Sequence, residues 1–395
     1  MSRTPAPANG GSVADAAKPR VLHVLKSLPL GGIESWLMHV LRHDRASVVA
    51  HELLLMVEKP GAYEAEARSL GVRIHKVVKG RSWFSWLPRF YHFLRREGPF
   101  AAVHSHSSRI GGAILAVAAL ARVPARIAHQ HDARSAGPDF TGGREAFLRR
   151  ANMVLTKLTA TRRIGITETA IEDIAGPGWQ RHKDCSILLY GFDFSSFDGA
   201  EARAAALRRS LDLRPGNRVV GHVGRFDPVK NHDFLLKVFA RLARADPEAR
   251  LVMVGRGSLE PEVRKLGEAL GVADRLRFAG STRDIAAYMA LFDLFLFPSF
   301  SEGLGIVCVE AQAAGTPVLA SDTVPREAAV VKEGFHVLPL GAGEDLWARR
   351  SAELLAMPKS DAQAWRNQVD QSAFGIERCV RDLHGVYREE LALKG

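Results

Sequence analysis

Residues 294–320 have the sequence LFLFPSFSEGLGIVCVEAQAAGTPVLA. The apolar run at 294–297 predicts a buried strand, and the glycine-rich segment at 302–305 suits neither a strand nor the middle of a helix. Residues 306–314 suit a helix that Gly315 ends, and a second apolar run follows at once. A strand, a loop, a helix and another strand in this order are the unit from which parallel sheets are built.

The same alternation of short apolar runs and amphipathic helices extends through the rest of the chain. It predicts strands at residues 20–25, 52–57, 72–77, 101–105, 125–128, 163–167 and 186–190. After a polar, helical connector it predicts strands at residues 218–223, 250–254, 276–279, 294–297 and 317–320. We therefore predict an α/β protein with two Rossmann-like, doubly wound domains that face each other across a cleft.

Breaks in this pattern predict the domain boundaries. Residues 1–18 are rich in Pro, Ala, Gly and Ser, so we expect a disordered tail there. Residues 19–195 would form the first domain and residues 196–372 the second. Residues 373–395 would form a C-terminal helix that packs back across the hinge.

The formal net charge of +11 indicates an anionic partner. A phosphorylated substrate and an acidic lipid surface would both fit. Nucleic acid is the least supported, because neither zinc-finger spacing nor the aromatic strand signature of an RNA-binding sheet occurs. The three cysteines are far apart and odd in number, which is typical of a reducing cytoplasm. We see neither a signal peptide nor an apolar run long enough to span a bilayer.

The chemistry of residues 302–310 follows from the glycine loop that opens the helix. Such a loop exposes unpaired backbone N–H groups and the positive end of the helix dipole, so it can hold an anion. Glu302 lies at the mouth of the loop, and Glu310 can point to nearly the same side and accept hydrogen bonds from sugar hydroxyls. The alternative is two solvated glutamates on a surface turn, which the strand, loop and helix around them disfavour.

Residues 224–231, GRFDPVKN, begin where another predicted strand ends. Arg225 offers a planar fork and Lys230 a point charge, and together they could neutralise a diphosphate. The same charges would stabilise a diphosphate as it leaves in a transfer reaction.

These motifs resemble those of the family four retaining glycosyltransferases, which have the GT-B fold. The other segments that carry the resemblance are GGIE at 31–34, LLYGFD at 188–193, VGRG at 254–257 and FAGS at 278–281. The resemblance covers most of the chain and is strongest in the second half. Within the family, the chain is most similar to enzymes of bacterial exopolysaccharide and lipopolysaccharide assembly.

The resemblance implies a role for each matching position. The first domain would bind the acceptor and the second the nucleotide-sugar donor. The implied catalytic residues are Arg225, Lys230, Glu302 and His131. Glu310 would hold the ribose hydroxyls, and Glu302 would hold the transferred sugar. The implied donor-binding residues are Gly31, Gly32, Gly224, Arg283, Gly303, Leu304, Gly305 and Glu310.

Two histidine pairs end predicted strands: His104 with His106, and His129 with His131. The resemblance places His131 near the reacting carbon of the donor sugar, and His106 could face the acceptor. The alternative is that each is a hydrogen-bonded histidine under a loop. Neither pair has a third ligand at helical or hairpin spacing, so we predict no metal site and no cofactor.

Two segments mix basic with aromatic or apolar residues, at residues 81–90 and 144–163. They could lie on an anionic membrane, or they could be solvated helices with their tryptophans in the core. Polyprenyl-linked acceptors favour the first alternative, with a cytoplasmic enzyme attached peripherally to the inner face of the plasma membrane.

The predicted activity is a retaining, metal-independent transfer of the hexosyltransferase type. It would move a sugar from a nucleoside diphosphate to a hydroxyl of a glycan or lipid-linked acceptor. A sugar-nucleotide epimerase on the same fold, a non-catalytic sugar-nucleotide binding protein and a nucleic-acid binder are the alternatives.

Overall fold

The structure of the chain is a computed structural model. It describes residues 18–29, 31–45, 47–80, 82–131 and 143–392, with the backbone alone at residues 84, 143–146 and 149. The predicted tail lies outside the described residues except for Lys18, and so does Arg81 of the first basic segment.

The first sheet contains seven parallel strands within the described residues. They are β1 Arg20–Leu25, β2 Ala50–Leu55, β3 Arg73–Lys76, β4 Ala102–Ser105, β5 Ala125–Gln130, β6 Arg162–Gly165 and β7 Cys185–Ile187. Their order is β3-β2-β1-β4-β5-β6-β7, so the direction of winding reverses between β1 and β4. The helices around this sheet are α1 Gly32–His43, α2 Glu64–Ser69, α3 Trp83–Glu97, α4 Gly111–Leu120, α5 Gly143–Thr159 and α6 Glu168–Ala175.

In the described part of the chain, the second sheet contains six parallel strands in the order β10-β9-β8-β11-β12-β13. They are β8 Arg218–Val223, β9 Ala249–Val254, β10 Leu276–Gly280, β11 Leu294–Phe297, β12 Val318–Ser321 and β13 Phe335–Leu338. Helix α7 Ala200–Ser210 precedes β8. The later helices are α8 His232–Ala245, α9 Glu260–Ala269, α10 Ile285–Leu291, α11 Ile306–Ala313, α12 Glu344–Leu355, α13 Ala362–Gln371 and α14 Ile376–Ala392.

Two doubly wound parallel sheets confirm the predicted architecture. Each sheet is covered by helices on both faces, and all four residues of β11 are buried. One contiguous apolar cluster runs from Trp36 of α1 through Phe192 to Phe297 of β11, so the two sheets share a core. In each sheet the strand order reverses at one point, and the loops that follow the strands there define a crevice for ligands.

The last helix contacts the first domain. His384 of α14 donates to the Asp44 carboxylate across 2.6 Å, and the Tyr387 hydroxyl lies 3.0 Å from Nδ1 of His104. Trp36 donates its indole N–H to the sulfur of Cys379 across 3.2 Å. Helix α14 therefore follows the second sheet in sequence but packs against the first.

Candidate active site

Two helix N-termini, one from each domain, meet at the cleft. Helix α11 begins after Gly305, whose φ of +71° is left-handed, and no side chain caps it. Helix α1 begins after Gly31, also without a side-chain cap. A Cβ atom on Gly32 would lie 3.7 Å from the Ile306 side chain, so the two helix starts are in near contact. The first-turn N–H groups and the positive dipole ends of the two helices therefore lie close together, which suits an anion.

Lys230 and Glu302 form an ion pair beside this point. The Lys230 ammonium lies 2.6 Å from the Glu302 carboxylate and 4.8 Å from the centre of the Phe297 ring. A Cβ atom on Gly224 would lie 3.2 Å from the aliphatic stem of Lys230, so glycine at that position leaves room for the lysine. Both charged side chains are largely buried, with 16% and 11% of their surfaces exposed.

The backbone around Lys230 fixes where its side chain points. Lys230 ends a single turn of 3-10 helix, and Asn231 follows with a left-handed φ of +55°. The Asn231 amide donates to the carbonyl of Pro298 across 3.1 Å, which ties the start of α8 to the end of β11. The structure thus brings together Lys230 and Glu302, which are 72 residues apart in the sequence.

Arg225 lies at the same strand end but is not part of this pair. Its guanidinium is 3.2 Å from the Asp227 carboxylate, and 84% of its side chain is exposed. In the loop before α11, the Leu304 side chain is buried in the core, so Leu304 offers a ligand only its backbone. Gly303 lies beside it, partly buried.

Glu310 and Arg283 line a cavity of about 430 Å³ between the domains. The first-domain side of the cavity is formed by side chains that we did not single out from the sequence, among them Ser35, His39, Arg42, Tyr63 and Glu66. Burial raises the pKa of Glu310 to about 7. Its carboxyl group can therefore be protonated near neutral pH, and it can donate a hydrogen bond as well as accept one.

Four histidines form a chain of hydrogen bonds under the cleft, which we call the histidine chain: His131, His106, His23 and His51. The successive nitrogen–nitrogen distances are each 2.9 Å. At the cleft end, the Tyr190 hydroxyl lies 2.6 Å from Nδ1 of His131. At the far end, Nε2 of His51 lies 2.8 Å from the Asp44 carboxylate.

Asp44 sets the direction of every bond in the histidine chain. Burial works against its charge, but hydrogen bonds from His51 and Ser47 keep the pKa of Asp44 below its usual range, so it accepts. His51 donates to Asp44 from Nε2, and with Nδ1 of His51 as an acceptor, His23, His106 and His131 in turn each donate from Nε2 and accept at Nδ1. Tyr190 completes the chain by donating to His131. Burial lowers the pKa of His23, His106 and His131.

Ring nitrogens of His106, His129 and His131 lie within 4.8 Å of one another, as do those of His23, His104 and His106. These distances alone would allow a metal ion. The centroids of His106 and His131 are 5.1 Å apart, which places their bonded nitrogens nearly in line, since each nitrogen lies about 1.1 Å from its ring centre. Shared coordination would require the two rings to turn toward a common point, whereas the hydrogen bond needs no such movement.

The two histidines singled out from the sequence therefore occupy the cleft end of the chain. Both ring nitrogens of His131 and both of His106 have partners within the protein. His23, His51 and Asp44 were not predicted as site residues from the sequence. The spacing of His104 and His106 could have indicated part of the chain, because alternation along a strand puts both on one face of the sheet. In the structure, His23 is the partner of His104 in the β1–β4 ladder.

The two basic segments differ in how they pack. In α3, Trp86 and Phe90 are fully buried and stacked on each other, so the core alternative holds for these side chains. In α5, Phe147, Leu148 and Leu158 are exposed. Among the described residues, no helix is both long and apolar enough to cross a membrane.

Residues 204–371 match the family of glycosyl transferases group 1. The chain is also 29% identical over 378 residues to EpsF of Bacillus subtilis, which is named as a glycosyltransferase; the alignment covers 94% of this chain and 97% of that one. The chain is therefore similar to the group 1 glycosyltransferases, through the family match at residues 204–371 and through EpsF along nearly its whole length. This family and the two-sheet fold confirm the resemblance found in the sequence.

Other relatives of this glycosyltransferase agree. A D-inositol 3-phosphate glycosyltransferase of Segniliparus rotundus is 38% identical over 212 residues, covering 52% of this chain and about half (47%) of that one. Among solved structures, Anabaena HepE in complex with UDP and glucose has a TM-score of 0.77 at 19% identity, covering 94% of this chain and all of that one. WaaG, a glycosyltransferase involved in lipopolysaccharide biosynthesis, has a TM-score of 0.71 at 18% identity over 93% and 99% of the two chains. These structural matches show that the glycosyltransferase has the GT-B fold.

Proposed function

We propose that this enzyme moves a sugar from a nucleoside diphosphate to an acceptor hydroxyl and retains the anomeric configuration. The observation that carries the proposal is the meeting of two uncapped helix N-termini at Gly32 and Ile306, beside Lys230. Two positive helix ends and an ammonium group would hold a diphosphate and stabilise it as it leaves.

The donor would rearrange the charges at the site. A diphosphate would compete with Glu302 for Lys230, and Glu302 would then be free to accept hydrogen bonds from the hydroxyls of the transferred sugar. The exposed Arg225 would turn onto the diphosphate, together with the backbone of residues 303–305 and of the glycines at 31 and 32. Glu310 would bind the ribose hydroxyls, and Arg283 would lie near the base.

Retention would follow from departure and attack on the same face of the sugar. The bond between the anomeric carbon and the diphosphate breaks, the acceptor oxygen bonds to that carbon, and the acceptor proton passes to the departing diphosphate. Glu302 would hold hydroxyls of the transferred sugar, so we assign it no role as a covalent nucleophile. The positive groups of the protein would neutralise the diphosphate, so we propose a metal-independent reaction without a cofactor.

The acceptor would be a glycan or a polyprenyl-linked sugar in bacterial exopolysaccharide or lipopolysaccharide synthesis. WaaG, a glycosyltransferase involved in lipopolysaccharide biosynthesis, supports this class. The natural place for such an enzyme is the cytoplasm, attached peripherally to the inner face of the plasma membrane. We propose residues 19–195 as the acceptor domain, residues 196–372 as the donor domain and residues 373–395 as the helix that joins them.

Two readouts of one reaction test the proposal. The enzyme is incubated with UDP-, GDP- or ADP-sugars, with and without a lipid-linked acceptor, and the released diphosphate and the product are measured. We expect acceptor-dependent release and, by proton NMR, a product with the anomeric configuration of the donor. An inverted product would refute retention, and an altered donor sugar without transfer would favour the epimerase alternative.

A further inference from the structure

Helix α5 turns two of its polar residues, Asn152 and Thr156, toward the protein. The Asn152 side chain accepts from the backbone N–H of Gly112 across 2.9 Å and donates to the carbonyl of Ser108 across 3.3 Å. Thr156, one turn further, is 1% exposed and bonds to the carbonyl of Asn152. A Cβ atom on Gly112 would lie 2.4 Å from the Asn152 carbonyl, so α4 and α5 approach closely along this polar face.

The opposite face of α5 is apolar and exposed. Phe147, Val154 and Leu158 follow one another at spacings of seven and four residues, which places them on one side of a helix. Their exposed fractions are 71%, 45% and 76%, and Leu148 and Leu155 flank them at 54% and 36%. A surface helix of a soluble protein normally turns its apolar stripe toward the core. Five large apolar side chains turned outward on one helix therefore indicate a surface that something else covers.

The charges around this face are positive. Arg150 and Lys157 are exposed on one flank of the stripe, and none of the α5 side chains that the structure describes is acidic. At the end of the neighbouring helix α4, Leu120 is 72% exposed and is followed by the exposed Arg122. An apolar face with a basic border is the combination that lies in the interface of an anionic bilayer.

We propose that the apolar face of α5 docks this enzyme on an anionic phospholipid surface. Phe147, Leu158 and Val154 enter the boundary between headgroups and acyl chains, and Arg150 and Lys157 contact the phosphates. The charge favours a lipid surface over a second copy of the chain, since two such faces would bring like charges together. The docking deepens the proposed function by assigning the peripheral attachment to one surface and one lipid chemistry, and it rests on that function only in that a lipid-linked acceptor would lie in the same membrane.

Co-sedimentation of the full chain with vesicles at low salt tests the docking. One set of vesicles contains equimolar phosphatidylcholine and phosphatidylglycerol, and the other contains phosphatidylcholine alone. We expect binding to the anionic vesicles, and at least about tenfold weaker partitioning for the Phe147→Ser/Leu158→Ser double variant. Arg150→Gln/Lys157→Gln should weaken binding to the anionic vesicles by about tenfold.

The matched control is Leu70→Ser/Met357→Ser, which removes two exposed apolar side chains elsewhere and should sediment like the wild type. Absence of binding to anionic vesicles, or equal binding of the Phe147→Ser/Leu158→Ser variant, would overturn the proposal. A wild-type dimer that this variant converts to a monomer, without vesicle binding, would assign the face to a second copy and also overturn it. Binding of nucleoside diphosphates is measured in parallel, because it reports on the proposed transfer site alone.

Discussion

Lys230 is the residue whose surroundings are most specialised for one task. It has a carboxylate partner in Glu302, an aromatic ring beneath it in Phe297, and a glycine at position 224 that leaves room for its stem. A lysine held in this way can exchange one anion for another without a large movement. Such an exchange is what binding and release of a diphosphate require.

Replacing Lys230 by Ala should lower turnover by about a hundredfold or more, the usual cost of removing one group that stabilises developing charge. The fold should survive, because Ala leaves the surrounding backbone unchanged. Steady-state kinetics with saturating donor measures the effect. Lys237→Ala is the matched control, since Lys237 lies on the surface of α8 and pairs with Asp233 one turn away. Near-normal turnover of Lys230→Ala would refute the role of this residue.

The histidine chain predicts a single tautomer for four rings. His23, His51, His106 and His131 should each carry their proton on Nε2 at neutral pH, because the bonds all point toward Asp44. Nitrogen-15 NMR of histidine-labelled protein distinguishes this form from the Nδ1–H form and from imidazolium. We expect Asp44→Ala to produce a mixture of tautomers in the chain. Signals of the wild type with Nδ1–H or charged rings would contradict the assigned direction.

The sequence could predict the Lys230–Glu302 neighbourhood, because both residues follow strand ends that meet at one edge of a sheet. The histidine chain could not be predicted in the same way. His23 lies in the middle of β1 and His51 in β2, and their relation to His106 depends on the strand order, which the sequence does not state. Asp44 and His384 are 340 residues apart, and only the packing of α14 on α1 brings them together.

At the scale of elements, the site depends on two helices that begin without caps. Gly305, with its left-handed φ, precedes α11, and Gly32 is the first residue of α1. Gly32 is the better position for a substitution, because its backbone φ is not left-handed. A side chain at this position would therefore cause no backbone strain, and its effect would come only from the atoms that it contacts.

We expect Gly32→Val to raise the KM for the nucleotide-sugar donor at least tenfold, because its added methyl groups would extend toward Ile306 in the space that we assign to the diphosphate. The melting temperature should change by only a few degrees, since a Cβ there would be in ordinary contact 3.7 Å from the nearest atom. Gly216→Val is the control, because a Cβ atom at Gly216 would meet no atom within 4 Å. An unchanged KM would show that the two helix starts do not face the donor.

Most elements followed from periodicity, and the exceptions have physical reasons. Strand β13, Phe335–Leu338, was not predicted because it pairs with β12 on one side only and all four of its residues are partly or fully exposed. Strand β7 was predicted to run through Tyr190. Instead it ends at Ile187, and the next three residues leave the sheet and bring Tyr190 to the cleft.

For the whole molecule, burial of so many neutral histidines predicts a stability that falls with acidification. Desolvation lowers the pKa of His106 to about 3 and that of His39 to about 4, and it places His23, His104, His129, His131 and His222 well below their usual range. Below pH 6.5 the unfolded chain binds protons at these rings and the folded chain does not. The free energy of unfolding therefore falls as pH decreases from about 6.5.

Urea unfolding between pH 7.5 and pH 5 measures this effect, with an upper limit of about 1.4 kcal/mol per pH unit for each such histidine. Carboxylates affect the free energy of unfolding only at lower pH. Burial opposes the charge of Glu52, but hydrogen bonds from His75 and Arg20 bring its pKa to about 2, so its contribution is lost only below about pH 4.5. A stability that is constant from pH 7.5 to pH 5 would mean that the histidines are not buried in the neutral form.

The central claim is that the cleft holds a nucleoside diphosphate between the start of α11 and Lys230. Isothermal titration calorimetry with UDP, GDP and ADP on the wild type, Lys230→Ala and Lys237→Ala tests it most directly. We predict that at least one diphosphate binds the wild type and Lys237→Ala with equal affinity and Lys230→Ala at least about tenfold more weakly, as expected for a charge-assisted contact. Failure of all three diphosphates to bind the wild type, or equal binding to Lys230→Ala, would contradict the account.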